Sequence, residues 1–379
     1  MNSISDPLVF SVGIAEYDAS LIREKLPPEL FSDILPGQTI VLKPNWVKES
    51  HLRKPDEWEY VITHPALITA VLGIVCSKLS GSGRVIIADA PQTDSSFKKI
   101  ISRYPVEEWK QMAATDGVAL EILALREDEW IQEEDIVVSR TKLPGDPRGS
   151  TEVNLLGEKS EFFGHRKSPR GYYGADYNLK ETNEAHDGFN NRYRLSRSVI
   201  EADLFINLPK LKTHKKAGIT CCLKNLVGIN TYKNFLPHHS EGGPAESGDQ
   251  FPGDNLKSRF EGTILGFVKQ HLLGNPLIAT MMKPLGRLSR RVFGRTEDVV
   301  RSGNWYGNDT LWRMTLDLNK ACFYADPDGS MREGIPLNAK KYLGIVDAIV
   351  AGEGNGPLAP DPKFMGRIIA GRNPVAIDA

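Results

Sequence analysis

Short apolar runs that end in polar loops recur along this chain, and each predicts a buried strand that delivers side chains to one end of a sheet. Residues 38–43 are such a run, rich in β-branched residues and stopped by Pro44 and Asn45. Thr63, His64 and Pro65 then give the capping residue and proline of a helix start, and Leu67, Val71, Ile74 and Leu79 continue at near-helical spacing. Gly81 and Gly83 break that helix, and residues 84–88 form a second buried run ending at Asp89. Strand, helix and strand in this order predict a βαβ unit. Such units pair their strands in parallel and collect ligands at the carboxyl ends. That rule singles out Lys43 to Asn45 and Asp89 to Thr93.

The pattern weakens and then returns. Residues 142–197 are polar and rich in Gly and Arg, which predicts an irregular insertion with little core. Apolar runs at 204–207, 343–350 and 366–371 predict further strands, the second leading into a glycine-rich loop around Glu353. The expected fold class is therefore α/β: a parallel or mixed sheet built from βαβ units, with helices on both faces. Two Rossmann-like halves are expected, at 1–141 and 198–379, flanking the insertion. The second half carries a loop and helical excursion over 240–310, which includes a basic amphipathic stretch at 283–301. Asn373 and Pro374 form a capping pair, yet the chain stops within about one turn. So short a helix does not offset its nucleation cost, and the natural chain is expected to continue beyond Ala379.

Composition narrows the function. The 379 residues include 47 Lys and Arg against 48 Asp and Glu, so no broad basic face is expected and nucleic acid is not an expected partner. No apolar run approaches the roughly 20 residues of a bilayer-spanning helix, and the start lacks the basic and apolar segments of a secretory leader. A cytoplasmic location is the expectation. Cys76, Cys221, Cys222 and Cys322 provide neither a disulfide framework nor CxxC spacing, so an iron–sulfur cluster is not expected in this chain. Phosphate-loop, dinucleotide, GxSxG and HExxH signatures are absent.

The densest chemical signal lies at 207–228, where Lys210, Lys212, His214, Lys215, Lys216 and Lys224 are interleaved with small residues after an apolar strand. Ammonium groups and accessible amides suit phosphate or carboxylate; the plain alternative is a solvated basic loop. Lys43, Lys212 and Lys224 are the candidate anion contacts, with Asn45 and Asn225 as ligand-orienting amides or turn caps. His214 is the candidate acid–base group, since neighbouring lysines lower the pKa of an imidazole that titrates near neutrality. Glu353 is a candidate catalytic carboxylate or a turn residue, and Asp89 and His238 are candidate ligands for a divalent metal. Asp89 also fits an ordinary cap, and His238 also fits a partner such as Glu353 or Asp347. Cys221 and Cys222 read as buried small residues.

Taken together, Lys43-Pro44-Asn45, Thr63-His64-Pro65, the 208–214 segment with Lys212 and His214, Lys224 and Asn225 with Gly228, Asp347, Glu353 to Pro357, and Asn373 to Asp378 resemble the family known as domain of unknown function 362 over most of the chain. Many members of that family carry a ferredoxin-like cysteine module and are labelled iron–sulfur proteins. This sequence lacks those cysteines. The layout is also remotely similar to the nickel-pincer lactate racemase family, which implies a racemase or isomerase among the possible activities. The functional expectation is a protein that binds a small carboxylate, phosphate or nucleotide-linked ligand in a cleft, with acid–base or metal-assisted chemistry. A non-catalytic ligand or cofactor carrier and a scaffold subunit are the alternatives.

Overall fold

The computed structural model describes residues 6–133, 136–176, 178–253, 300, 302–332 and 340–379. All but residue 300 of the basic stretch at 283–301, and most of the expected 240–310 excursion, lie outside the described residues.

The first elements are β1 (Val9–Gly13), α1 (Ala19–Lys25), β2 (Thr39–Pro44), α2 (Pro65–Leu79), β3 (Arg84–Asp89), α3 (Phe97–Ile101), α4 (Val106–Thr115) and β4 (Ala119–Ala124). In α2, the His64 side chain caps the Ala66 amide and Pro65 occupies the first turn. Its other end closes on Ser80 and Gly81, both at positive φ, the left-handed geometry that stops a helix. The βαβ unit read from the sequence is thus present.

A polar segment follows, with β5 (Asp128–Glu133), β6 (Ile136–Lys142), β7 (Ser150–Asn154), β8 (Tyr172–Gly174), α5 (Leu179–Ala185), β9 (Arg192–Ser196) and α6 (Arg197–Ile200). Then come β10 (Leu204–Leu208), β11 (Lys210–His214), β12 (Gly218–Thr220), α7 (Cys222–Asn225), β13 (Pro237–Ser240), α8 (Leu311–Tyr324), β14 (Tyr342–Asn355), β15 (Ala359–Gly371) and α9 (Pro374–Asp378).

The main sheet runs in the order β1, β15, β14, β10, β2, β3, β4. Strands β14, β10, β2, β3 and β4 are parallel, and β15 and β1 join antiparallel, so the sheet is mixed. Strands from both expected halves pair directly, β2 with β10. Strand alternation sends Ile40, Leu42, Val85, Ile87, Leu204 and Ile206 to one face, where Leu67, Val71, Val75 and Trp109 of α2 and α4 cover them. Val41, Ile86, Ala88, Phe205 and Val346 point to the other face, against Leu311, Met314 and Leu318 of α8. Fully burying one such side chain contributes about 1.5–3 kcal/mol, so these two layers fix the sheet.

Two expectations fail. Residues 142–197 are not poor in core, since Val153, Leu155, Phe162, Tyr172, Tyr193 and Leu195 all belong to the second layer. Strands β7 and β9 each turn only a few residues inward, and Glu152, Arg192 and Arg194 on the outer face hide the period. The glycine-rich segment around Glu353 is not a loop either: β14 continues through Asn355, with Glu353 opposite Asp361 of β15. Its glycines let another strand approach. A β-carbon on Gly352 would lie 2.9 Å from Lys212 Cβ, and one on Gly356 would lie 1.9 Å from the Thr213 carbonyl oxygen.

His64 supplies a pH-dependent element. Its ring stacks on Tyr17 with centroids 3.6 Å apart. Burial and the nearby Lys210 push its pKa down to about 4, against the pull of Asp347. Between an ordinary value of 6.5 and about 4 the unfolded chain binds a proton that the folded chain refuses. Stability from the neutral ring is therefore full above 6.5 and lost as pH falls through that window, by about 3 kcal/mol in total. In His64→Asn, which keeps a capping side chain, the slope of unfolding free energy against pH between those limits decreases by about one proton's worth. Urea titrations at several pH values measure it, and an unchanged slope refutes it.

Candidate functional site

Three strands end side by side. The register sets Asn207 opposite Lys43 and Leu208 opposite Pro44, with Asp89 closing β3 next to them. Lys43 Nζ donates to Asp89 Oδ1 at 2.8 Å and to the Pro44 carbonyl at 2.9 Å. Asp89 accepts further bonds from the Ala90 amide at 2.9 Å and, on Oδ2, from the Trp46 amide at 2.6 Å. Burial lowers the Lys43 pKa and Asp89 works against that shift. Gly228 lies directly over the pair, where a β-carbon would come within 1.8 Å of Asp89 Oδ1 and 2.6 Å of Lys43 Nζ.

A chain of amides extends from this pair. Asn225 Nδ2 donates to Asn207 Oδ1 at 2.7 Å, and Asn45 Nδ2 donates to Asn225 Oδ1 at 2.8 Å. Asn45 Oδ1 accepts from Lys212 Nζ at 3.2 Å, and Lys212 also donates to the Val61 carbonyl. Both candidate asparagines therefore spend their polar atoms on neighbours, and their part is to set the position of Lys212 and of α7.

Strand β11 alternates, so Lys210, Lys212 and His214 share its buried face. The ladder with β12 puts Thr220 opposite Lys212. Directly paired residues project to the same side of a ladder. The Thr220 hydroxyl is buried without a hydrogen-bond partner, a state that normally calls for a ligand or water. His214 Nδ1 accepts the Lys216 amide at 3.2 Å, so its neutral ring carries the proton on Nε2. His238 Nδ1 faces the Leu236 carbonyl at 2.9 Å, so that ring carries its proton on Nδ1 and leaves Nε2 as an acceptor. The two rings are thus opposite tautomers.

The electrostatics are one-sided. Lys224 is half-buried and has no carboxylate partner among the described residues; burial, then Lys216, Lys233 and Lys43, push its pKa down to about 7. Lys212 falls well below the ordinary lysine range through burial and the neighbouring Lys210 and Lys224. His214 and His238 are held well below the usual imidazole range, by burial first and then by Lys224 and Lys216. Burial also brings Lys233 down to about 8, and its ammonium is tied to the Ala90 carbonyl at 2.8 Å. Asp89, which lies within this group, is already engaged by Lys43, and Asp176 also acts on Lys233.

Other candidates lie elsewhere. Glu353 is exposed and pairs with Lys363 across the hairpin at 2.6 Å. Asp347 does not meet His238: it accepts from Lys210 at 2.9 Å, from the Tyr17 hydroxyl at 2.8 Å and from the His64 amide at 2.9 Å. Sequence reasoning missed Tyr17 and the Lys210 pair, although the alternation of Lys210, Lys212 and His214 was a usable signal. It also missed Asp378, whose carboxylate accepts the Cys222 and Leu223 amides at 2.7 and 2.9 Å and so caps α7.

A divalent metal does not fit Asp89 and His238. Both Asp89 oxygens are occupied, and neither residue belongs to a metal-like trio among the described residues. Cys221, Cys222 and Asp378 do cluster, with candidate ligand atoms within 4.8 Å of one another. There the carboxylate is committed to backbone amides, and the mutual hydrogen bond and burial raise the Cys221 thiol while burial raises that of Cys222. The four cysteines are free and buried.

Fold and site together define an α/β protein with an unbalanced cluster of lysines and histidines beside the carboxyl ends of its parallel strands. The model of the family described as "Domain of unknown function (DUF362)" matches residues 172–379, more than half of the chain, and the protein belongs to that family. No curated protein matches it. A crystal structure of a Thermotoga maritima protein is similar over 95% of this chain and 57% of its own length, with 10% identity and a TM-score of 0.30. This chain thus spans less than two thirds of that protein. No described helix is long and apolar enough to cross a membrane.

Proposed function

We propose that this protein binds a small carboxylate or phosphate through Lys212 and Lys224, with His214 and His238 placed to move protons on the bound molecule. The observation that carries the reading is the crowding of ammonium groups: Lys212 and Lys233 lie within electrostatic reach of Asp89, which Lys43 already pairs, and Lys224 lies within reach of Lys43, Lys212 and Lys233. Uncompensated buried charge costs several kcal/mol, and an anion recovers it through short charge-assisted hydrogen bonds. The orphan Thr220 hydroxyl supports the same reading, because it offers a neutral donor beside Lys212.

Isothermal titration with inorganic phosphate and with oxalate tests it. Wild-type protein takes up one anion per chain, and Lys212→Ala or Lys224→Ala weakens the affinity at least tenfold, about 1.4 kcal/mol. Binding that is absent in the wild type, or equal in both variants, overturns the proposal.

A further inference from the structure

We infer that Lys224 is a nucleophilic amine, and that the anion held beside it carries an aldehyde or ketone with which Lys224 forms an imine. The inference rests on the anion-binding reading above and names the ligand's reactive group.

The lysines in this region do different jobs. Lys43 is tied to Asp89, Lys212 to Asn45 and the Val61 carbonyl, and Lys233 to the Ala90 carbonyl. Lys224 alone among these four has no hydrogen bond or carboxylate holding it among the described residues, and it is the one left half-buried. It also lies within electrostatic reach of Lys43, Lys212, His214, Lys216, Lys233 and His238. An amine crowded by cations and withdrawn from water loses its proton readily, which is how lysines are made nucleophilic towards carbonyl carbon.

The histidine tautomers supply the proton path. The Lys224 nitrogen pair forms the C–N bond as the C=O π pair moves onto oxygen. His238 Nε2, an acceptor in its neutral tautomer, takes a proton from nitrogen and returns it to that oxygen, giving a carbinolamine. The C–O bond then breaks with its pair on oxygen, and the second nitrogen proton follows by the same route. Both amine protons leave with the oxygen as water, so the step balances without any oxidant or added proton. His214 presents an Nε2–H that donates to the developing oxyanion, and Lys212 with the Thr220 hydroxyl holds the carboxylate or phosphate.

The test uses the full chain with pyruvate and, separately, glyoxylate, followed by borohydride reduction and peptide mass mapping. The expected result is one reduced adduct per chain, located on Lys224, suppressed by excess inorganic phosphate, and lost in Lys224→Arg protein whose melting temperature matches the wild type. Mapping of the wild-type adduct needs no variant and stands even if Lys224→Arg fails to fold. Absence of an adduct from protein that does bind phosphate overturns the imine and leaves the anion site intact. An adduct spread over surface lysines, or one indifferent to phosphate, overturns it as well. Protein that binds no phosphate removes the underlying reading first.

Discussion

Asp347→Ala lowers the free energy of unfolding by about 3–5 kcal/mol, the size seen when one member of a buried ion pair is removed. Lys210 and Asp347 are both fully buried, and they meet at 2.9 Å. The truncation strands an ammonium, releases the Tyr17 hydroxyl and leaves the His64 amide at the start of α2 without its acceptor. Each loss acts at the same point, where α2, β11 and β14 converge. The paired replacement Lys210→Met with Asp347→Leu recovers at least half of the loss, because it leaves no orphaned charge. Urea denaturation with matched slopes reads both values. A single-variant loss under about 1 kcal/mol shows that water reaches the pair and relieves it.

Gly228→Ala is expected to abolish phosphate binding and to destabilise the fold by at least about 3 kcal/mol. The new methyl group would overlap Asp89 Oδ1 at 1.8 Å and Lys43 Nζ at 2.6 Å, so both members of the buried pair stand in its way. Either the pair breaks or the 225–228 segment moves away, taking Lys224 with it. The Gly228 carbonyl also accepts the Ala90 amide at 2.7 Å, so backbone movement breaks a further bond. Gly13→Ala is the matched control, since nothing lies within 4 Å of its would-be β-carbon. Phosphate titration and urea unfolding of the two variants decide the matter: similar behaviour in both refutes the close-packing argument.

The two predictions mark the boundary between what could be read along the chain and what could not. Elements β2, α2 and β3 were legible because their signals are local: an apolar run, a cap with proline, and a glycine stop within about fifty residues. Lys43, Lys212, His214 and Lys224 were also legible as a cationic group, since they fell at or after apolar runs that had to be buried. Residues 142–197 were misread because short, one-sided strands with charged outer faces carry too few inward residues to show a period. Glu353 was misread because glycines that admit a neighbouring strand look, in sequence, like glycines that admit a ligand.

The sequence by itself determined the α/β class, the parallel strands that end in polar loops, and the concentration of lysine and histidine after one of those strands. Local periodicity and turn chemistry suffice for these, because each depends on residues a few positions apart. Only the tertiary structure decided which charges cancel. Lys43 meets Asp89 across 46 positions, Lys210 meets Asp347 across 137, and Asp378 caps α7 from 156 away. Those pairings depend on strand order and register, and among the described residues they leave Lys224 with no carboxylate partner.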